Sequence, residues 1–225
     1  MYDENHTMIC MKINRTKNAI RNIIFGGILR IYQIVFPFIM RTVMIYFMGV
    51  QYLGLNSLFT SVLQVLNLAE LGVGSAMVYS MYKPITTDDK KTICALMRLY
   101  RTYYRIIGLV IATVGIALTP FIPKLIKSDL PADINIYVLY LLNLAATVLS
   151  YWLFAYKNCL LQAHQRVDVT SKVTLVTSTF QYLIQIFVVV VLKNYYIFVI
   201  VMLGTQAMTN IITSVVVSKM YPNYN

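Results

Sequence analysis

Acidic residues, cysteine and charge in general are scarce in this chain, and each scarcity excludes something. Only eight Asp and Glu residues occur among 225, which leaves few candidates for acid–base catalysis. The three cysteines, Cys10, Cys94 and Cys159, form neither a disulfide framework nor a metal-ligand spacing. The two histidines, His6 and His164, read as solvated residues of a polar leader and of a loop. No HExxH, GxSxG or glycine-rich phosphate loop is present, and no acid pair has a histidine nearby. No catalysis, cofactor or metal is therefore expected. Charged residues make up 12% of the chain, about half the roughly one-quarter share of soluble domains.

What the chain does have is apolar length. Hydrophobic residues make up 59%, and six stretches are long enough for a hydrocarbon core about 30 Å thick. They are placed near 22–48, 55–81, 103–123, 135–156, 173–192 and 195–217, between a leader over 1–21 and a tail over 218–225. Alternating barrel strands of about ten residues do not describe such runs. The expected fold is an all-α, polytopic transmembrane bundle of six spans. The first run is also too long for a signal-peptide core and lacks a small-residue cleavage site, so the chain reads as retained in the membrane.

The formal net charge of +11 is explained by topology. Six spans with the N-terminus inside place 14 of the 19 Lys and Arg residues on one face, among them Lys12, Arg21, Lys83, Arg98, Arg101, Arg105, Lys157, Arg166 and Lys172. The opposite face holds Lys124, Lys127 and Lys193, and Arg30 and Arg41 lie within the first span. Excess Lys and Arg mark the cytoplasmic side, so both termini are assigned there and nucleic acid is not expected as a partner.

Several local signals refine this outline. Pro37 should kink the first span. The segment 86–105 reads as an amphipathic surface helix leading into span three, with Thr86 and Asp89 at capping-box spacing. Ile93, Leu96, Met97, Tyr100 and Tyr104 form its apolar face and Arg98, Arg101 and Arg105 its basic one. It suits anionic headgroups or a regulator, or serves simply as an orienting basic loop. Lys193–Asn194 reads as a two-residue turn between spans five and six.

Polar residues line up within the spans at 100° per residue. Span one aligns Asn22, Gly26, Arg30, Gln33, Pro37 and Arg41. Span two aligns Asn56, Thr60, Gln64, Asn67, Glu70 and Gly74, and span four Asn143, Thr147, Ser150 and Lys157. Span five aligns Thr170, Thr174, Thr177, Ser178, Gln181 and Gln185, and span six Gln206, Asn210 and Thr213. Unpaired polar groups are costly in hydrocarbon, so these stripes face protein or water. They act as interhelical glue, at about 0.6 kcal/mol per contact, or they line a water-filled, cation-rich cavity. The aligned stripes with two Arg favour the cavity. A cation in the bilayer costs about 2.5–3.5 kcal/mol even on the lenient insertion scale, which suggests an anionic partner for Arg30 and Arg41. Glu70 has two readings: a salt bridge to Arg30 that fixes spans one and two, or an ion-coupling site.

The stretch MIYFMGVQYLGLNSLFTSVLQVLNLAELGVGSAMVYSMYKPI, residues 44–85, resembles the first two spans of bacterial polysaccharide-biosynthesis flippases, within the multidrug/oligosaccharidyl-lipid/polysaccharide exporter superfamily. KNCLLQAHQRVDV at 157–169 and YPNY at 221–224 add to the likeness. The resemblance implies the N-terminal six-helix lobe of a two-lobe flippase. The tail would be a truncated link to a second lobe, or two half-transporters would assemble. It further implies residence in the bacterial cytoplasmic membrane, alongside polysaccharide polymerase machinery. The implied substrate is an undecaprenyl-pyrophosphate-linked oligosaccharide moved to the outer leaflet. Arg30 and Arg41 would hold pyrophosphate, since guanidinium binds phosphate bidentately. Gln64, Asn67, Asn143, Gln181, Gln185, Gln206 and Asn210 would offer hydrogen bonds to sugar hydroxyls, and Glu70 would couple transport to an ion. The competing readings are a cation-coupled drug or metabolite antiporter of the same superfamily and a non-transporting assembly subunit.

Overall fold

The computed structural model describes residues 15–67, 72–125, 134–154 and 156–222. Among these every regular element is a helix. Helix α1 runs over Arg15–Phe47, continuous through Pro37, and at about 1.5 Å per residue it reaches roughly 50 Å. It therefore exceeds the hydrocarbon thickness and must tilt or emerge into the headgroups. Helix α2, Val50–Asn67, and helix α3, Val73–Thr86, flank residues 68–71, which lie outside the described segments. Gly72 precedes α3 with φ +86°, a left-handed conformation that glycine adopts without a Cβ penalty. The span expected over 55–81 is thus described as two helices.

Helix α4, Lys90–Leu118, merges the expected surface helix and span three into one element. No proline or glycine interrupts it before Gly108, so nothing ends the helix where the sequence turns apolar. Its N-cap is Asp89, whose carboxylate accepts from the Thr92 amide at 3.1 Å and the Thr92 hydroxyl at 2.6 Å. Thr86 instead ends α3, so the Thr86–Asp89 capping pair does not form. These bonds hold the Asp89 carboxyl below its usual range, the side-chain bond from Thr92 first. Ile93, Met97, Tyr100 and Tyr104 are buried in the bundle, whereas Arg98, Arg101 and Arg105 are exposed. The apolar face of this helix therefore packs on protein.

A 3-10 turn over Thr119–Phe121 leads to the short helix α5, Ile122–Leu125. Helix α6, Ile136–Trp152, meets helix α7, Lys157–Ala163, at a bend of 55°. Helix α8, Val167–Phe187, closes in a π-helical turn over Val188–Leu192. Helix α9 spans Tyr195–Met220. The turn between them has the expected form. Lys193 is left-handed (φ 47°), and the Asn194 side chain caps α9 by accepting from the Tyr196 and Ile197 amides at 3.0 and 3.2 Å.

Four helical stretches are long and apolar enough to cross a membrane, and a fifth qualifies if the bent α6–α7 pair is one span. The chain is a multi-pass membrane protein of four or five such spans among the described residues. Helix α1 lies against α8, α8 against α9, α9 against α6, and α6 against α4, while α3 packs on α4 and α7. The core is drawn largely from the later helices: Met81, Ile93, Ile111, Tyr140, Leu160 and Val199 are almost fully buried. Helix α1 buries only Met40 and Met44; Phe25, Tyr32, Phe36 and Val43 are half-buried against the bundle, and residues such as Ile23, Ile31, Ile34 and Phe38 face outward, as a lipid-solvated helix requires.

Two features tighten the packing. Gly108 and Gly115 let α6 approach α4: a Cβ at Gly108 would lie 2.5 Å from Trp152 Nε1, and one at Gly115 would overlap the Leu144 side chain. Small residues serve helix contacts in membranes in this way. Tyrosine hydroxyls then pair with carbonyls exposed between helices. Tyr140 donates to the Gly115 carbonyl and Tyr100 to the Met77 carbonyl, each at 2.9 Å.

The hydrogen bonds also sort the charges. Arg21 and Asp168, Trp152 and Arg105, and Lys157 and Ser218 meet at one end of the bundle. Asn135 with Tyr196, and Tyr195 with Asn56, meet at the other, beside Lys193. Arg21, Arg105, Lys157, Arg166 and Lys172 therefore gather at one basic end.

Candidate functional site

A polar cavity of about 410 Å³ opens between α3, α4, α6, α7 and α9, within the roughly 300–1,000 Å³ of small-molecule sites. The bend after α6 creates one of its walls. Phe154 turns left-handed (φ 59°), α7 swings across the bundle, and Asn158, Cys159 and Gln162 come to line the space. Gly74 and Ser75 of α3 supply the facing wall, and Ser150 and Tyr151 close the α6 side. Gln206 and Asn210, one turn apart on α9, complete it. The Asn210 amide donates to the Ser150 carbonyl at 3.0 Å, which anchors that side chain.

Among the described residues, no charged side chain lines the cavity. Lys157 is the nearest in sequence, but its ammonium turns away to Ser218 Oγ at 2.7 Å and lies 5.6 Å from the Phe154 ring centre. The lining is rich in amides and hydroxyls, which both donate and accept. Such a surface suits a neutral, hydrogen-bonding ligand better than an ion or a lipid tail.

Of the residues expected to bind substrate, the structure brings Gln206 and Asn210 together here. Gln181 and Gln185 lie elsewhere, between α8 and α9: Gln181 Nε2 donates to Gln185 Oε1, and buried Gln185 donates to the Phe198 carbonyl, both at 3.4 Å. With Thr209 donating to Thr177 at 2.8 Å, this part of the α8 stripe joins helices. Asn143 is buried and donates to the Leu139 carbonyl of its own helix at 2.8 Å. Gln64 is exposed on α2, beside Ser57, Thr60 and Ser61. The Asn67 side chain and Glu70 lie outside the described residues, and so does any pair between Glu70 and Arg30.

Arg30 and Arg41 are both exposed on α1, together with Gln33. They sit on one flank of the helix, between its face toward α8 and its lipid-facing apolar sector. Eleven residues at about 1.5 Å each place them roughly 16 Å apart along the axis. Neither forms an ion pair among the described residues.

Asp168 and His164, the second of them read as a solvated loop residue, belong to the structural frame. Asp168 is fully buried in the first turn of α8 and takes Arg21 at 2.7 Å, Arg166 at 2.9 Å and Lys172 at 3.5 Å. Asn22 completes the knot, accepting from the Asp168 amide at 2.8 Å and donating to the Gln165 carbonyl at 3.0 Å. His164 is buried at the end of α7, with Nδ1 2.9 Å from the Leu160 carbonyl and its ring 4.4 Å from that of Tyr221. The Arg166-x-Asp168 spacing, with Lys172 four residues beyond Asp168, was the signal available for the first. Nothing local announces the second.

Compared with protein-family models, curated proteins and solved structures, the chain matches none of them.

Proposed function

We propose that this chain forms one lobe of a membrane flippase for an anionic, lipid-linked oligosaccharide, working by transport and without catalysis. The observation that carries this reading is the division of polar groups. Guanidinium groups stand on an open flank of α1, and a neutral amide-lined cavity lies inside the bundle. A pyrophosphate with an attached sugar needs both kinds of surface. Arg30 and Arg41 hold the anion at two depths, and Gln206 and Asn210 contact sugar hydroxyls.

The basic end faces the cytoplasm of a bacterial cell, where excess Lys and Arg collect. The lipid tail stays in the bilayer, and a second lobe or half-transporter faces the α1 flank so that rocking alternates access. The family resemblance of residues 44–85 supports the substrate class. Export of lipid-linked oligosaccharide should fall at least tenfold in Arg30→Ala and in Arg41→Ala at normal expression. Normal export by both variants would sink the reading. Arg30→Lys separates charge from the bidentate fork, and full activity there would mean that charge alone suffices.

A further inference from the structure

The basic end of the bundle holds two groups of cations that differ in one respect. Arg21, Arg166 and Lys172 share the Asp168 carboxylate. On α4, Arg98, Arg101 and Arg105 are exposed, and among the described residues no carboxylate pairs with any of them. At about 100° per residue the three fall within roughly 60° of one another, along about 10 Å of the axis. They share the flank that carries Gly108, against which the Trp152 indole of α6 lies. Trp152 Nε1 donates to the Arg105 carbonyl at 3.3 Å. Past the left-handed Phe154, Lys157 of α7 comes near enough to Arg101 for the two to repel. Cations from two helices thus crowd together beside an exposed indole.

The depth of this group narrows the choice of partner. From Arg105 to Lys124 the chain carries no charge, a length of about 28 Å that matches a hydrocarbon core of about 30 Å. Arg105 therefore stands at the headgroup boundary, with Arg101 and Arg98 one and two turns outside it. Trp152 lies about one turn inside, at Gly108, the level that suits an amphipathic indole. Tyr103 and Ile106 are exposed on the adjoining sector of α4, so the guanidinium flank borders lipid. Orientation in the membrane needs only a count of charges, not three on one flank against an indole. Guanidinium binds phosphate through paired N–H donors, and basic pockets between helices bind acidic headgroups.

We propose that this flank of α4, with Trp152 and Lys157 beside it, is a binding site for the headgroup of an acidic phospholipid in the leaflet at the basic end. Arg101 and Arg105 hold the phosphate, Arg98 adds positive charge on its outer side, and an acyl chain runs over the Trp152 indole. Helix α4 packs on α3 and α6, whereas Arg30 and Arg41 stand on α1, which packs on α8. The lipid is a fixed neighbour, held apart from the proposed path of the cargo. The inference goes beyond the transport reading and does not rest on it.

Trp152 is the only tryptophan in the chain, so its fluorescence reports the site directly. Brominated acyl chains quench an indole on contact. The full chain is placed in phosphatidylcholine nanodiscs with an equal minor fraction of brominated phosphatidylglycerol or brominated phosphatidylcholine. The phosphatidylglycerol should quench at least twofold more. Arg101→Gln with Arg105→Gln should make the two lipids quench equally. Lys90→Gln with Lys91→Gln, which removes the same charge from the start of α4, should leave the preference intact. Should the arginine pair fail to fold, Arg101→Gln alone should cut the preference by at least a third, and an undiminished preference would overturn the site. Equal quenching in the unaltered chain would overturn it too, leaving the arginines to a soluble acidic partner. So would a preference that survives in the arginine pair, or one lost equally in the lysine pair, which would mark a diffuse charge effect. Inorganic phosphate at constant ionic strength should leave the preference unchanged, and its loss would assign the arginines to a soluble anion instead.

Discussion

Arg21 and Asp168, 147 residues apart in sequence, meet at 2.7 Å and tie the start of α1 to the turn that opens α8. Arg166 and Lys172 converge on the same carboxylate, so one buried anion holds three cations together. Lys172 also lies over the Phe25 ring at 4.2 Å, adding a second contact to α1. Because α1 has few buried residues of its own, this knot is a principal anchor of that helix.

Removing the anion should therefore cost more than removing any one cation. Asp168→Asn leaves three positive groups facing one another, and breaking a buried pair costs about 3–5 kcal/mol. Arg21 is 32% exposed, which favours the lower end of that range. Arg21→Ala leaves Asp168 with two partners and should cost about 1 kcal/mol, as for a half-exposed pair. Thermal unfolding of both variants in detergent checks the order. Equal losses would mean that the cations do not share the carboxylate.

His164 gives a pH dependence. Burial pushes its imidazole below the usual 6.5, although the Leu160 carbonyl pulls the other way. The fold therefore holds the neutral ring, whereas the unfolded chain protonates it at the ordinary value. The resulting stability is complete above about pH 6.5 and is lost as pH falls through that value toward the lower folded one. The melting temperature should drop by a few degrees between pH 7.5 and 5.5. His164→Gln, which cannot titrate, should lose much of that drop. An unchanged pH profile in the variant would exclude His164 as its source.

Glycines of one helix class should answer differently to the same mutation. Gly115→Ala and Gly108→Ala place a methyl group into Leu144 and Trp152 across the α4–α6 contact. Overpacking of this kind costs about 1–3 kcal/mol. At Gly204 a Cβ meets nothing within 4 Å, and Gly204→Ala should be neutral or stabilise α9 by about 0.5–1 kcal/mol. Melting temperatures of the three variants separate the cases, and a harmless Gly115→Ala would mean that α4 and α6 pack less closely than described.

These contrasts also show what sequence could and could not say. Long apolar runs made the helical membrane class legible, and the Lys193–Asn194 turn stood out because a polar pair with asparagine interrupts two such runs. The arginines of α4 point outward as the 100° pattern required. The α6–α7 bend was hidden because it falls at Leu153 and Phe154, where neither proline nor glycine marks a break. The burial of Asp168 was not legible because it depends on Arg21, a partner that only tertiary folding brings near. Polar stripes carried two meanings at once: Gln206 and Asn210 reach a cavity, whereas Gln185 joins α8 to α9.

The proposed orientation has a direct consequence for α9. Its 26 residues span about 39 Å, enough to separate Lys193 from Lys219 across the hydrocarbon core. With Cys10, Cys94 and Cys159 replaced by serine, a single cysteine at either lysine position reports the side it occupies. The Lys193→Cys variant should react with a membrane-impermeant maleimide in intact cells, and Lys219→Cys only after permeabilisation. The reverse pattern would keep α9 as a span but put the basic end outside, against the Lys and Arg bias. Labelling of both in intact cells would show that α9 does not cross, because one straight helix cannot return its far end to the same side.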